Sequence, residues 1–191
     1  MRNLHLMLVL AAILAPCANV QAAPADVPET GQITCNDAAG AVIACTNTGQ
    51  DGDLKAGVAW PSPRFVAGAG ATAACVTDNL TGLMWVQAPN ATNVDWATAL
   101  TTANNLTLCG FTDWRLPNIH ELESLVNSGA ANQAAFLNGQ GFTGVAVLSY
   151  WSSTTGALFP DTAWLVLMSD GTVDTAQKLV GLRAWPVRAG Q

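Results

Sequence analysis

DWRLPNIHELESLV, residues 113–126, sets an aromatic, an arginine and a proline directly before a run with helical spacing. Pro117 pushes the residue before it out of the helical region, so Asp113–Leu116 reads as extended chain. Asn118 then offers an N-cap, and Glu121 stands three residues on, as in a capping box. Ile119, Leu122, Leu125 and Val126 recur as one apolar stripe, and Glu121 and Glu123 lie near the helix start, where negative charge is favoured. The helix is expected to continue to a stop at Gly129. The stretch is therefore a strand running into a capped helix.

Working outward, TDNLTGLMWVQ (77–87) reads as a turn at Asp78–Asn79 and a strand over Leu83–Gln87, with Leu83 and Trp85 on one face. NVDWATALTTANNL (93–106) follows as a helix, with Asn93 a candidate cap and Trp96, Ala99, Leu100 and Ala103 at helical spacing. The C-terminal third is strand-like. SYWSSTT alternates in bulk, AWLVLM has the length of a core strand, SDGT carries an Asp-Gly hairpin signal, and RAWPVR closes with Pro186 at an edge. Two helices followed by several antiparallel strands define an α+β domain, drawn over 71–191. Residues 23–70, rich in Gly, Pro, Asn and Asp, read as a loop-rich lead-in.

Residues 1–22 have the layout of a secretory signal peptide: a cation at Arg2, an apolar run from Leu4 to Leu14, and small residues at Val20 and Ala22. The apolar run is too short to span a bilayer as a mature helix. The alternative, a lipoprotein signal ending at Cys17, is opposed by Pro16, which sits where a small residue is wanted. No segment beyond Ala22 reads as transmembrane, and the protein is expected in the periplasm, on the outer surface or outside the cell. After cleavage six Lys and Arg face thirteen Asp and Glu, a net charge of −7. That balance, with scattered cations, excludes nucleic acid and anionic lipid as expected partners.

Four cysteines remain, Cys35, Cys45, Cys75 and Cys109, an even number that reads as two disulfides in an exported chain. Three pairings exist. The Asn36, Asp37 and Gly40 turn favours a local Cys35–Cys45 clasp, which leaves Cys75 to close a long loop with Cys109. A zinc site is disfavoured, because no Cys-x-x-Cys occurs and His120 is the only mature histidine.

Seven tryptophans invite a carbohydrate platform, since indole faces stack on flat apolar surfaces. Trp85, Trp96, Trp114, Trp151, Trp164 and Trp185 fall within expected strands or helices, and four or more should be structural; Trp60, in AGVAWPSP, is the one expected to be exposed. The candidate ligand-binding residues are Trp60, Trp114, Arg115 and Trp151. For Arg115, Arg183 and Arg188 the competing expectation is internal pairing with Asp78, Asp113 or Glu121. Asp51-Gly52-Asp53 is the only compact acidic loop, and two carboxylates fall short of a calcium loop. Neither a metal nor another cofactor is expected. His120 lacks a partner signature, and no G-x-S-x-G or H-E-x-x-H motif occurs, so the expectation is a protein that is not an enzyme.

In this order, TDNLTGLMW, DWRLPNIHELESLV, YWSSTT, AWLVLMSDGTV and WPVR resemble the Lcl C-terminal domain family, named for a collagen-like bacterial adhesin. The resemblance runs from Cys75 to Arg188 and more weakly into Gly31–Phe65, where TGQDGDLKAGVAWPSPRF is similar to a lead-in of many members. It implies a C-type lectin-like architecture and a recognition or adhesion role at the cell surface, with a glycan or a surface protein as partner. The alternative is a structural domain of a cell-surface assembly with no small ligand. Two places depart from the family pattern: AGAGATAAC (67–75) replaces an Asp- and Gly-rich turn, and no cysteine follows Arg188. The named adhesin is associated with sulfated polysaccharides, which a net charge of −7 would repel, so neutral glycans or protein are the better expectation.

Overall fold

A computed structural model describes residues 27–190. The signal peptide expected at 1–22, with Cys17, lies outside the described residues. The lead-in opens with a two-residue hairpin, β1 (Cys35–Asn36) and β2 (Val42–Ile43), and a single helical turn, α1 (Asp51–Leu54). Next come β3 (Phe65–Ala67), β4 (Cys75–Asp78), β5 (Leu83–Val86) and the helices α2 (Trp96–Asn104), α3 (Ile119–Glu123) and α4 (Gln133–Asn138). The chain ends with β6 (Ser149–Thr155), β7 (Thr162–Leu167), β8 (Val173–Gln177) and β9 (Val187–Ala189). This is an α+β protein with antiparallel sheets.

One sheet has the order β3-β4-β5-β9 and a second the order β6-β7-β8. The last strand thus returns to the first sheet, with Trp85 opposite Val187 and Met84 opposite Arg188. Two short bridges tie the sheets through the segments between them, Arg115 to Val187 and Tyr150 to Arg183. The main core forms around Trp185, whose ring lies 5.8 Å from Trp85, 5.1 Å from Phe142 and 5.5 Å from Tyr150. Its indole N–H donates to the Val86 carbonyl at 2.7 Å, so the polar end of this central indole is satisfied. A second cluster packs Trp151 and Leu116 against Ala99, Ala103, Ala163 and Ala184; the small residues let α2 approach β6 closely.

Both disulfides form as expected, Cys35 with Cys45 and Cys75 with Cys109. The capping box is present: Asn118 accepts from the Glu121 amide at 2.9 Å, and Glu121 accepts from the Asn118 amide at 2.8 Å. The helix it starts is shorter than expected, ending at Glu123 rather than at Gly129. Leu125 and Val126 still face the core through tighter three-residue bonds to Leu122 and Glu123, so the apolar stripe outlasts the helix. In α2 the cap is Asp95, which accepts from Thr98, and not Asn93. The Asp-Gly signal at 170–171 joins β7 to β8, with Gly171 at φ 89° as that turn requires. The sequence reading lacked α4, capped by Asn132, and the pairing of β3 with β4, which puts the end of the loop-rich segment into the main sheet.

A groove between the lead-in and helix α3

The lead-in lies against the C-terminal side of α3. The Glu29 amide donates to the Val58 carbonyl at 3.0 Å and the Val58 amide to the Val27 carbonyl at 2.8 Å, the Ser128 amide donates to the Thr30 carbonyl at 2.9 Å, and the Trp60 indole N–H donates to the Glu29 carbonyl at 2.7 Å. Gly31, at φ 83°, is needed here: a Cβ would fall 2.4 Å from the Asn127 side chain and 2.9 Å from the Trp60 ring. Beneath Trp60 sits Arg64, 4% exposed, with its guanidinium 4.4 Å from the Trp60 ring centre and 4.5 Å from that of Phe65. It forms a two-pronged ion pair with the fully buried Asp78, Nε to Oδ1 at 3.0 Å and Nη2 to Oδ2 at 2.9 Å, and donates to the Ser124 carbonyl at 2.6 Å. Asp78 also accepts from the Leu80 amide and the Thr81 hydroxyl. One group thus ties the lead-in, the β4–β5 turn and the end of α3.

Between these walls lies a cavity of about 520 Å³, with Trp60, Arg64 and Glu29 on the lead-in side and His120, Glu123 and Ser124 on the other. His120 and Glu123 are one helical turn apart, with 3.7 Å between Nδ1 and Oε2. On the far side of Trp60 a second hollow of about 340 Å³ also borders Glu29 and Arg64, and includes Asn127, Phe136 and Gln140. Beyond His120 and Glu123 a third, of about 330 Å³, is lined by Ile119, Thr154, Trp164 and Val173.

Of the four candidate ligand-binding residues, the structure places only Trp60 at this groove, half-buried. Trp114 is 2% exposed and donates its N–H to the Leu108 carbonyl. Trp151 is fully buried in the second core cluster and donates to the Val94 carbonyl at 3.0 Å. Neither indole offers an open face, so both are corrected to core residues. Trp85 and Trp185 are buried too, which makes four structural tryptophans. Arg115 is half-exposed but spends its guanidinium on Glu121, at 2.7 and 2.6 Å, and Arg188 pairs with Asp113 at 2.7 and 3.1 Å. Burial opposes ionisation of Glu121, but the Arg115 hydrogen bonds and the Asn118 amide outweigh it and hold the carboxyl below its ordinary range. The Arg188 hydrogen bonds hold Asp113 low in the same way.

Sequence reasoning missed Arg64 and Trp164. Arg64 carries a signal, since it stands four residues after Trp60 in the motif WPSPRF. Trp164 carries none: in the near-continuous apolar run AWLVLM no alternation tells which face is open. The acidic pair of the lead-in is engaged within the chain, Asp51 accepting from the Thr30 hydroxyl and Asp53 from the Gly49 amide at 3.1 Å.

A mixed fold stapled by two disulfides, with a groove at the seam between lead-in and sheet domain, defines a small disulfide-bonded α+β module. The chain belongs to the Lcl C-terminal domain family, whose model matches residues 74–188, from the residue before β4 into β9. Comparison with curated proteins returns no match. The matched region supplies His120, Glu123 and Trp164 of the groove, while Glu29, Trp60 and Arg64 lie before it.

Proposed function

We propose that the protein is a secreted or cell-surface recognition or adhesion module, not an enzyme, that binds a glycan or a surface protein through the groove beside Trp60. The observation that carries this reading is the groove itself: a concave site of ligand size in which an aromatic wall meets converging polar groups. Export is supported by the two disulfides, which persist in oxidising compartments, and by the signal-like sequence at 1–22. No helix among the described residues is long and apolar enough to cross a membrane. The order of helices α2, α3 and α4 followed by strands, with β9 returning to β5, supports a C-type lectin-like architecture, a fold analogy that assigns no ligand by itself.

The test is a broad glycan array probed with the purified protein and with Trp60→Ala, each with calcium and with chelator. The expected result is binding to a defined sugar class that persists in chelator, because Asp51 and Asp53 are already engaged, and that Trp60→Ala removes without unfolding the protein. Silence from a folded protein would favour the second reading, a structural domain of a surface assembly. One feature supports that alternative: Leu158 and Phe159 are 82% and 61% exposed, beside Leu179 at 91%, on two loops joined by Lys178.

A further inference from the structure

We infer that the groove is the centre of a longer cleft that takes a linear, uncharged oligosaccharide, with Trp60 and Trp164 as separate stacking platforms. This rests on the glycan half of the proposed function and specifies the ligand's length and charge. The three hollows share walls: Glu29, Trp60 and Arg64 border both the second and the central one, and His120 and Glu123 border both the central and the third. They therefore adjoin in a row, each sharing wall residues with the next. The saddle between the centre and the third hollow consists of the solvent-exposed side chains of His120 and Glu123, which can turn aside or hydrogen-bond a chain passing over them.

Each end of the central hollow leads to an indole. Trp60, with Glu29 and Arg64, borders the first two hollows, and Trp164, on β7, lines the third. Between the indoles lie carboxylate and hydroxyl groups, Glu29, Glu123, Ser124 and Thr154 among them. Apolar platforms separated by hydrogen-bonding groups match a chain of pyranose rings, each with an apolar face and a rim of hydroxyls. A peptide strand would instead need a row of open backbone groups, and the central groove is lined on α3 by side chains.

Charge decides the rest. Arg64, Arg115 and Arg188 are paired with Asp78, Glu121 and Asp113. Arg183 donates to the Asn90 carbonyl, and Lys178 to Thr155 and the Pro160 carbonyl. Lys55 is the one described cation whose side chain has no such partner, and it lines none of the three hollows. With Glu29 and Glu123 at the centre and the Arg64 charge balanced by Asp78, a sulfated or carboxylated chain meets carboxylates against a single neutralised guanidinium and the imidazole of His120.

The experiment is calorimetric titration of the full chain with ladders of cello-, chito- and malto-oligosaccharides, one to six units long, and with a heparin hexasaccharide. In at least one neutral ladder affinity should rise about tenfold or more between two and five units and then level off, as the second platform is reached. Trp164→Ala should reduce the longest member to the affinity of the short ones while leaving the disaccharide unchanged, and Trp60→Ala should weaken every length. Trp164→Phe, which keeps a ring at the position, should retain part of the gain and so separates lost stacking from a folding defect. Affinity independent of length, with Trp164→Ala neutral and Trp60→Ala damaging, would overturn the two-platform cleft and leave the recognition reading intact. Tighter binding of the heparin fragment would overturn the charge argument. Silence from all ladders would overturn this inference, and the array then decides whether the recognition reading falls with it.

Discussion

Residues 27–64 and 65–188 are held together by different physics. The second region has a continuous apolar core in which Trp85, Trp185, Tyr150, Leu122 and Leu137 are shut off from solvent. The lead-in leaves Ile33, Val42 and Leu54 exposed and is held instead by a disulfide, backbone hydrogen bonds and the Arg64–Asp78 pair. Apolar packing fills space, whereas polar ties hold chains at fixed points and leave gaps between them. The groove opens where the two modes meet, which is why its walls come from both regions. Without the lead-in, α3 would present His120 and Glu123 on an open surface.

If that contrast is right, damage to the core should be global and damage to the seam local. Leu122→Asp places an unpaired charge among the buried residues of the main core and should cost about 4–5 kcal/mol, abolishing the cooperative thermal transition or lowering it steeply. An unchanged melting temperature would contradict the packing of α3. Asp78→Ala leaves the Arg64 charge buried without its partner, at a cost of about 3–5 kcal/mol. Here the expected signature is early loss of the Trp60 environment, read as the fluorescence difference between this variant and the same variant carrying Trp60→Phe, ahead of the main transition. One transition for both probes would merge the two regions into a single cooperative unit.

The disulfides sharpen the same contrast. On loop-closure entropy, Cys75–Cys109, 34 residues apart, contributes about 4 kcal/mol and Cys35–Cys45, 10 apart, about 3 kcal/mol. Paired Cys→Ser variants should therefore differ more in place than in size. Loss of the 75–109 link should lower the main transition, and loss of the 35–45 link should raise amide exchange only within the lead-in. The smallest effect is acidic. Because its pairing with Arg115 lowers the Glu121 pKa on folding, the stability it contributes is present above the ordinary glutamate value of about 4.3 and is lost as pH falls through the lower, folded value. Thermal melting of the wild type and Arg115→Gln between about pH 6 and about pH 3 should show their difference shrinking towards the acid end. A difference that widens there would reverse the assigned sign.

What was legible in the sequence follows from how far each signal reaches. The Asn118–Glu121 capping box, the Asp170–Gly171 turn and the Cys35–Cys45 clasp involve residues within ten positions of each other, so the chain's own geometry suffices to place them. The α+β class and the family also came through, because periodicity and ordered motifs are properties of the chain itself. The ligand candidates fared worse. Trp114 and Trp151 are as aromatic as Trp60 and stand beside equally polar neighbours, yet both are sealed by residues far away in sequence, Trp151 by Val94 and the alanines of α2. Nothing within a few residues of either records that.

The sequence by itself determined where α3 and the Asp170–Gly171 turn begin, which cysteine pairing is favoured and how few cations the chain has to spend, since these depend on local backbone chemistry and on counting. Only the tertiary structure decided that Arg64 takes Asp78, that β3 joins the main sheet, and that Trp60 and Trp164 are the tryptophans bordering the cleft. Burial and pairing are set by which distant segments arrive first-hand against a side chain, and that arrangement is a property of the packed whole.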